Sequence, residues 1–225
     1  MSASKLYTRD KVFGPAVMWG HWLRAFSIFI LIGTGFYIAW PFLMPYGGSD
    51  NLQQGWVRFA HLVAGFVLCA VTVYRAYLFC FSRNDVERRS IGDVISPNSW
   101  IINLKSYLFM GEKLHKKGIY GPLQFVAYLA VSLAAVFMCV TGLVLHANVY
   151  HDGLGGALYP LAEWFTALFG GLAPVREWHH IGTWVFIIFL PVHIYMAVFS
   201  AVRLGSSMDT IISGYDTHKA DTEEK

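Results

Sequence analysis

Four histidines lie within long apolar stretches of this chain, at positions where an ionisable side chain would face lipid or a bound group. They are His21, His61, His179 and His193. Ionisable residues inside a membrane segment are costly and often functional. The last two are 14 residues apart. At 100° and 1.5 Å per residue, they lie roughly 40° apart around one helix and about 21 Å apart along it. One helix can therefore offer two ligands on one face.

Neutral imidazole is a common axial ligand of haem iron, and a b-type haem is held without covalent bonds. Two axial histidines must face each other from different helices at equal depth. His21 falls near the inner end of its segment and His193 in the inner half of its segment, so they are predicted to ligate an inner haem. His61 and His179 both fall near the outer ends, so they are predicted to ligate an outer haem. The spacing gives irons about 20 Å apart and a route for electrons across the bilayer.

His180 competes with His179 for the outer iron. It is 13 residues from His193, which turns it about 140° away on an ideal helix. His179 is therefore the expected ligand, and His180 stays open as an alternative. The remaining histidines are expected at the interface or in solvent: His115, His146, His151 and His218.

Three other residues are candidates for contacts with the cofactors. Gly35 lies 14 residues after His21, at the depth of the outer haem, where it would let a ring approach the backbone. Arg75 lies 14 residues after His61, at the inner depth, and could pair with a propionate. Tyr195 could donate a hydrogen bond to a quinone. The alternatives are small-residue helix packing for Gly35, a snorkelling side chain for Arg75 and ordinary packing for Tyr195.

The composition indicates a membrane protein. Of 225 residues, 56% are hydrophobic and 14% are charged, and the mean hydropathy is +0.46. Since about 20 apolar residues cross a bilayer, four segments are long enough: 17–40, 57–80, 121–146 and 179–203. We therefore expect an all-α integral membrane four-helix bundle, with residues 1–225 as one domain. No cleaved signal peptide is expected, since the first segment is too long.

Lysines and arginines concentrate in the N-terminal tail, in the loop at 81–120 and at the C-terminal end. The positive-inside rule places these parts, and so both termini, in the cytoplasm. Within the long loop, residues 99–110 could form an interfacial helix with Trp100, Tyr107 and Phe109 facing lipid. Residues 158–170 are expected at the outer surface or in contact with a partner.

Four stretches resemble the cytochrome b subunit of membrane-bound nickel–iron hydrogenases, within a wider di-haem family that includes formate dehydrogenase membrane subunits. They are WGHW at 19–22, RFAHLVAG at 58–65, EWHHIGTWVFIIFLPVHIYMA at 177–197 and ISGYDTHK at 212–219. The resemblance covers nearly the whole chain, and its C-terminal stretch is most similar to the hydrogenase branch. It implies that the four histidines named first are the haem-ligand positions.

The resemblance also implies the partners. These are a small iron–sulfur subunit and a large nickel–iron subunit of a periplasmic hydrogenase. Hydrogen chemistry then occurs on the partner, and this subunit passes electrons to menaquinone or ubiquinone in the bacterial cytoplasmic (inner) membrane.

Three other functions remain open from the sequence, and one of them is a structural membrane anchor that binds no haem. A formate dehydrogenase could be the partner in the same electron-transfer role. A small transporter could relay protons through the histidines, but the four apolar segments contain no Asp or Glu, which counts against it. The three cysteines form no CxxCH motif for covalent haem attachment.

Overall fold

The structure is a computed structural model that describes residues 7–42, 52–82, 94–108, 121–204 and 210–219. These residues form mostly helices. In chain order the elements are β1 (Tyr7–Lys11), α1 (Pro15–Ala39), α2 (Gln53–Phe81), α3 (Pro97–Tyr107), α4 (Pro122–Ala147), α5 (Gly153–Leu168), α6 (Leu172–Leu204), α7 (Thr210–Ser213) and β2 (Tyr215–Lys219).

Helices α1, α2, α4 and α6 are long and apolar enough to cross a membrane. The predicted all-α class with four membrane-spanning helices is confirmed, and the chain is a multi-pass membrane protein. Helices α1 and α4 each begin at a proline, whose fixed φ suits the first helical position and whose missing N–H is not needed there. Helix α6 begins at Leu172, well before the predicted start at residue 179.

The four long helices expose many large apolar side chains, and the residues that they bury include small and polar ones. Phe26 and Ile188 are both 63% exposed, whereas Ala135 and Thr141 are buried. This distribution suits a lipid surround, since membrane helices approach each other through small residues and satisfy polar groups internally.

Contacts group the chain into two compact units. One comprises Met1–Trp22, Arg75–Leu129 and Leu190–Lys225, and the other comprises Leu23–Tyr74 and Ala130–Phe189. His21 and His193 belong to the first unit, and His61 and His179 belong to the second. Each predicted haem site is therefore contained within one unit. The single-domain description stays a prediction.

A two-stranded antiparallel ribbon joins the chain ends and was not predicted. Strands β1 and β2 pair from Tyr7↔Lys219 to Lys11↔Tyr215. Gly214, at φ +80°, turns the chain into β2, and its carbonyl accepts hydrogen bonds from the amides of Val12 and Phe13. Since the strands pair directly, residues 7–11 and 215–219 lie side by side.

Helix α3 packs against its unit instead of only lying on lipid. Asn103 and Ser106 are buried, and the ring of Tyr107 lies 4.6 Å from that of Phe199 on α6. The half-buried Tyr107 thus packs partly against α6, and its exposure to lipid stays a prediction. The Trp100 indole donates to the Val94 carbonyl, and Phe109 falls outside the described residues.

The expected outer segment at 158–170 lies largely within helix α5. Its Ala162 is buried in a cluster with Val144, Ala147 and Val175, which come from the C-terminal end of α4 and the start of α6. The helix is therefore anchored to the second unit by apolar packing.

Candidate haem sites

In the second unit, His61 of α2 and His179 of α6 face each other. Their ring centroids are 6.5 Å apart, and the ring planes cross at 66°. Helix positions alone placed these residues at one depth, and the structure brings them together. We call this pair the outer pair.

Each imidazole of the outer pair is held by a threonine and a glycine from a further helix. On α1, the Thr34 hydroxyl is 2.8 Å from His61 Nδ1. A Cβ built on Gly35 would lie 3.4 Å from His61 Cε1. Gly35 thus lies against the imidazole of the outer pair, and a larger residue would press on that ring.

The arrangement is repeated around His179. On α4, the Thr141 hydroxyl is 2.8 Å from His179 Nδ1. A Cβ built on Gly142 would lie 3.4 Å from His179 Cε1. All four long helices therefore contribute to the outer pair, two with histidines and two with a Thr-Gly dipeptide.

His180 faces different neighbours. Its ring makes edge contacts with Phe36 at 5.6 Å and with Trp40 at 6.1 Å between centroids. His179, not His180, is paired with His61. The geometry therefore favours the ligand that the helix angle selected.

In the first unit, His21 of α1 and His193 of α6 form the inner pair. Their ring centroids are 6.1 Å apart, with an interplanar angle of 41°. The neighbours differ from those of the outer pair because they include aromatic rings. Trp22 meets His21 edge-on at 5.3 Å, and Tyr128 of α4 lies 5.6 Å from His193.

Two further predicted residues belong to the same unit as the inner pair. Arg75 is partly buried on α2. Tyr195 is 47% exposed, and its ring lies 6.0 Å from Phe199. Both lie in the unit that contains the inner pair.

Both pairs have the separation that two axial ligands of one iron require. Imidazole nitrogens bind divalent metals at about 2.0–2.1 Å, so two rings on opposite sides of one ion have centroids roughly 6.4 Å apart. The observed 6.5 and 6.1 Å match this distance. Within the described part of the chain, no cluster of three or more His, Cys, Asp or Glu could hold a metal ion. Each pair thus offers two protein donors, which is the number that a b-type haem with two axial histidines takes from a protein.

The comparison with known families agrees with this chemistry. The family model described as prokaryotic cytochrome b561 matches residues 12–214. The chain belongs to this family. Membership implies a b-type haem, and the two histidine pairs supply donors of the right type and spacing for it.

The chain is similar over most of its length to several proteins that carry names of hydrogenase cytochrome subunits. A "Probable Ni/Fe-hydrogenase B-type cytochrome subunit" of Azotobacter vinelandii is 36% identical, covering 92% of this chain and 88% of its own length. The Rhodobacter capsulatus protein of that name is 32% identical, covering 93% and 82%. A "Probable Ni/Fe-hydrogenase 1 B-type cytochrome subunit" of Escherichia coli K12 is 26% identical, covering 91% and 89%. The resemblance found in the sequence motifs is confirmed.

Sequence reasoning missed the residues that surround the histidines. Thr34, Thr141 and Gly142 hold the outer pair, and Tyr128 contacts the inner pair. A signal for the first three was present, because the dipeptide Thr-Gly occurs twice in the chain, each time within an apolar segment. No comparable repeat marks Tyr128.

Proposed function

We propose that this chain is the di-haem membrane subunit of a nickel–iron hydrogenase, with His21 and His193 ligating an inner haem and His61 and His179 an outer haem. The observation that carries the proposal is the presence of two histidine pairs, each at the separation of two axial ligands. The names of the relatives support hydrogenase as the partner.

Bound haems would carry one electron at a time, so this subunit would connect a periplasmic iron–sulfur subunit to membrane quinone. The protein's own part is to place the imidazoles, exclude water and fix the two sites at different depths. The outer pair is held by hydroxyls and glycines, and the inner pair by aromatic rings. These different surroundings suit two cofactors with different properties.

Three residues have proposed supporting roles. Arg75, partly buried in the unit of the inner pair, would pair with an inner propionate. Gly35 admits the His61 ring close to the α1 backbone. Tyr195 follows His193 by two residues and is exposed at the protein surface, where its hydroxyl would donate a hydrogen bond to a quinone carbonyl.

The proposed location is the bacterial cytoplasmic membrane with both termini in the cytoplasm. The ribbon between β1 and β2 supports the part of this proposal that places both ends on one side. If hydrogen releases protons outside and the quinol takes protons from the cytoplasm, turnover builds a membrane potential. Proteoliposomes that reduce quinone with hydrogen without developing a voltage would contradict the electrogenic direction.

The central experiment counts haem per polypeptide in the purified chain and in single His→Ala variants. We expect two b-type haems in the parent. His61→Ala or His179→Ala should remove one spectral component, and His21→Ala or His193→Ala the other. His151→Ala, outside both pairs, is the matched control and should retain both. One haem in the parent, or loss of the same component from both groups of variants, would overturn the pairing.

The quinone role of Tyr195 needs a separate measurement. Tyr195→Phe removes the hydroxyl and keeps the ring against Phe199. We expect hydrogen-driven quinone reduction by the intact complex to slow while the haem spectrum is unchanged. Tyr159→Phe is the control, since Tyr159 lies on α5 with its ring against His151, outside both pairs. An unchanged rate in Tyr195→Phe would eliminate this residue as a quinone donor.

A further inference from the structure

The two threonines of the outer pair share one hydrogen-bond pattern. Each hydroxyl is 2.8 Å from the Nδ1 atom of one histidine. Each also donates to a backbone carbonyl four residues earlier on its own helix, Thr34 to Ile30 at 2.6 Å and Thr141 to Phe137 at 2.9 Å. The same local geometry thus occurs on α1 and on α4, around ligands from two other helices.

From this pattern we propose that Thr34 and Thr141 are positioning residues that fix both outer imidazoles as Nδ1–H tautomers and thereby lower the reduction potential of the outer haem. The inference rests on the proposed function, because it assumes that His61 and His179 hold a haem.

The tautomer follows from counting hydrogens. A threonine hydroxyl has one hydrogen to donate and two lone pairs to accept with. Because that hydrogen is directed to a helix carbonyl, the oxygen can only accept from the imidazole. Nδ1 must then carry the proton, which leaves Nε2 with the lone pair that a metal needs.

The glycines complete the restraint on each ring. Gly35 and Gly142 follow the two threonines directly, and each lies against Cε1, the atom beside Nδ1. A hydroxyl on one atom and a backbone surface on its neighbour together limit rotation of the imidazole. Thr141 is fully buried, so water does not compete for its hydroxyl.

A hydrogen bond from Nδ1–H to an acceptor makes the imidazole a more basic ligand. A more basic ligand stabilises the ferric state more than the ferrous state, since the ferric ion carries the larger charge. Removing the acceptor should therefore favour reduction. A net effect comparable to one hydrogen bond corresponds to a change of about threefold to tenfold in the ferric-to-ferrous ratio, and tenfold is about 59 mV for one electron.

The test is a potentiometric titration of Thr34→Val and Thr141→Val in the purified haem-loaded chain, followed at the reduced haem band. Valine keeps the shape of threonine and removes the hydroxyl. Each variant should raise the outer midpoint potential by the shift that corresponds to a threefold to tenfold change in the ferric-to-ferrous ratio, up to about 59 mV. In the double variant the two shifts should approximately add. The low-temperature electron paramagnetic resonance spectrum of the ferric outer haem should change as well, because it reports the orientation of the ligands.

Three controls separate a hydroxyl effect from a packing effect. Thr34→Ser and Thr141→Ser keep the hydroxyl and should restore a potential near that of the parent. Thr183→Val removes a hydroxyl that donates to the backbone carbonyl of His179 rather than to its ring, and it should leave the potential unchanged. The potential of the inner haem should stay constant throughout.

The outcomes distinguish the two levels of the proposal. If the parent lacks an outer haem, the proposed function fails. If the haem is retained and the Thr34→Val and Thr141→Val potentials equal that of Thr183→Val, the positioning role is overturned. If the valine variants lose the outer haem, retention in the serine variants supports the role of the hydroxyl, and loss in both series contradicts it.

Discussion

Replacing Gly35 by valine should weaken haem binding at the outer pair, and the structure sets the size of the effect. A Cβ at Gly35 would lie 3.4 Å from His61 Cε1, just inside the optimum of about 3.5–4.0 Å for two carbons. Each further C–C bond extends about 1.5 Å. A valine methyl turned toward the ring would thus approach to roughly 2 Å, and valine in a helix has little choice of rotamer.

The cost falls mainly on the haem-bound state. Without iron the His61 ring can rotate away, whereas an axial ligand is fixed by its bond. Overpacking of this kind costs about 1–3 kcal/mol, which corresponds to roughly five- to 150-fold weaker haem binding. Gly35→Ala stays near ordinary contact and should change the affinity by about threefold or less.

Gly33 provides the matched control on the same helix. A Cβ there would meet no atom within 4 Å. Gly33→Val therefore changes the helix propensity and the side-chain volume without contacting the His61 ring. Haem dissociation into excess apomyoglobin, measured in detergent for both valine variants, gives the affinity ratio. Equal dissociation rates for Gly35→Val and Gly33→Val would refute the argument that the glycine is needed for the ring.

Three other substitutions test separate parts of the structure. His179→Ala should remove about half of the bound haem, while His180→Ala, whose ring contacts Phe36 and Trp40, should retain it; the opposite result in haem quantification would reassign the ligand. Gly121→Ala should destabilise the chain by about 1–3 kcal/mol, because the new Cβ would lie 2.5 Å from Asn103 Nδ2. Thermal unfolding measures this, and Gly14→Ala is the control because a Cβ there meets no atom within 4 Å. Equal melting temperatures of the two variants would contradict the prediction. Gly214→Ala should lower the stability of the ribbon by about 1–2 kcal/mol, because the backbone at this position has a positive φ. The amide hydrogens of β1 should then exchange faster with solvent. Unchanged exchange rates would show that the ribbon does not depend on this turn.

The features that depend on spacing along a single helix could be predicted from the sequence. Apolar length located the four spans, and the helical angle between His179 and His193 selected the ligand that faces His61. These features depend on position along one helix, which periodicity determines. The start of α6 was predicted at residue 179, after its true start at Leu172, because Arg176 and Glu177 interrupt the apolar run. The helix extends through these two charged residues.

The parts that the sequence did not predict depend on contacts between distant segments. Nothing in the short strands β1 and β2 marks them as partners, since their pairing joins residues near opposite ends of the chain. Thr34 and Thr141 look like ordinary small polar residues of membrane helices. Their role becomes visible only when α1 and α4 are seen against the histidines of α2 and α6.

The order of the outer-pair residues along the chain has a consequence for biosynthesis. Thr34 precedes His61, and Thr141 precedes His179, so each hydroxyl is synthesised before the imidazole that it will contact. Because chains are made and begin to fold from the N-terminus, each histidine enters the bilayer when its acceptor is already there. If the imidazoles carry the Nδ1–H proton as proposed, each can donate it once its helix packs against the threonine, which would avoid the cost of an unpaired polar group in hydrocarbon before any cofactor arrives.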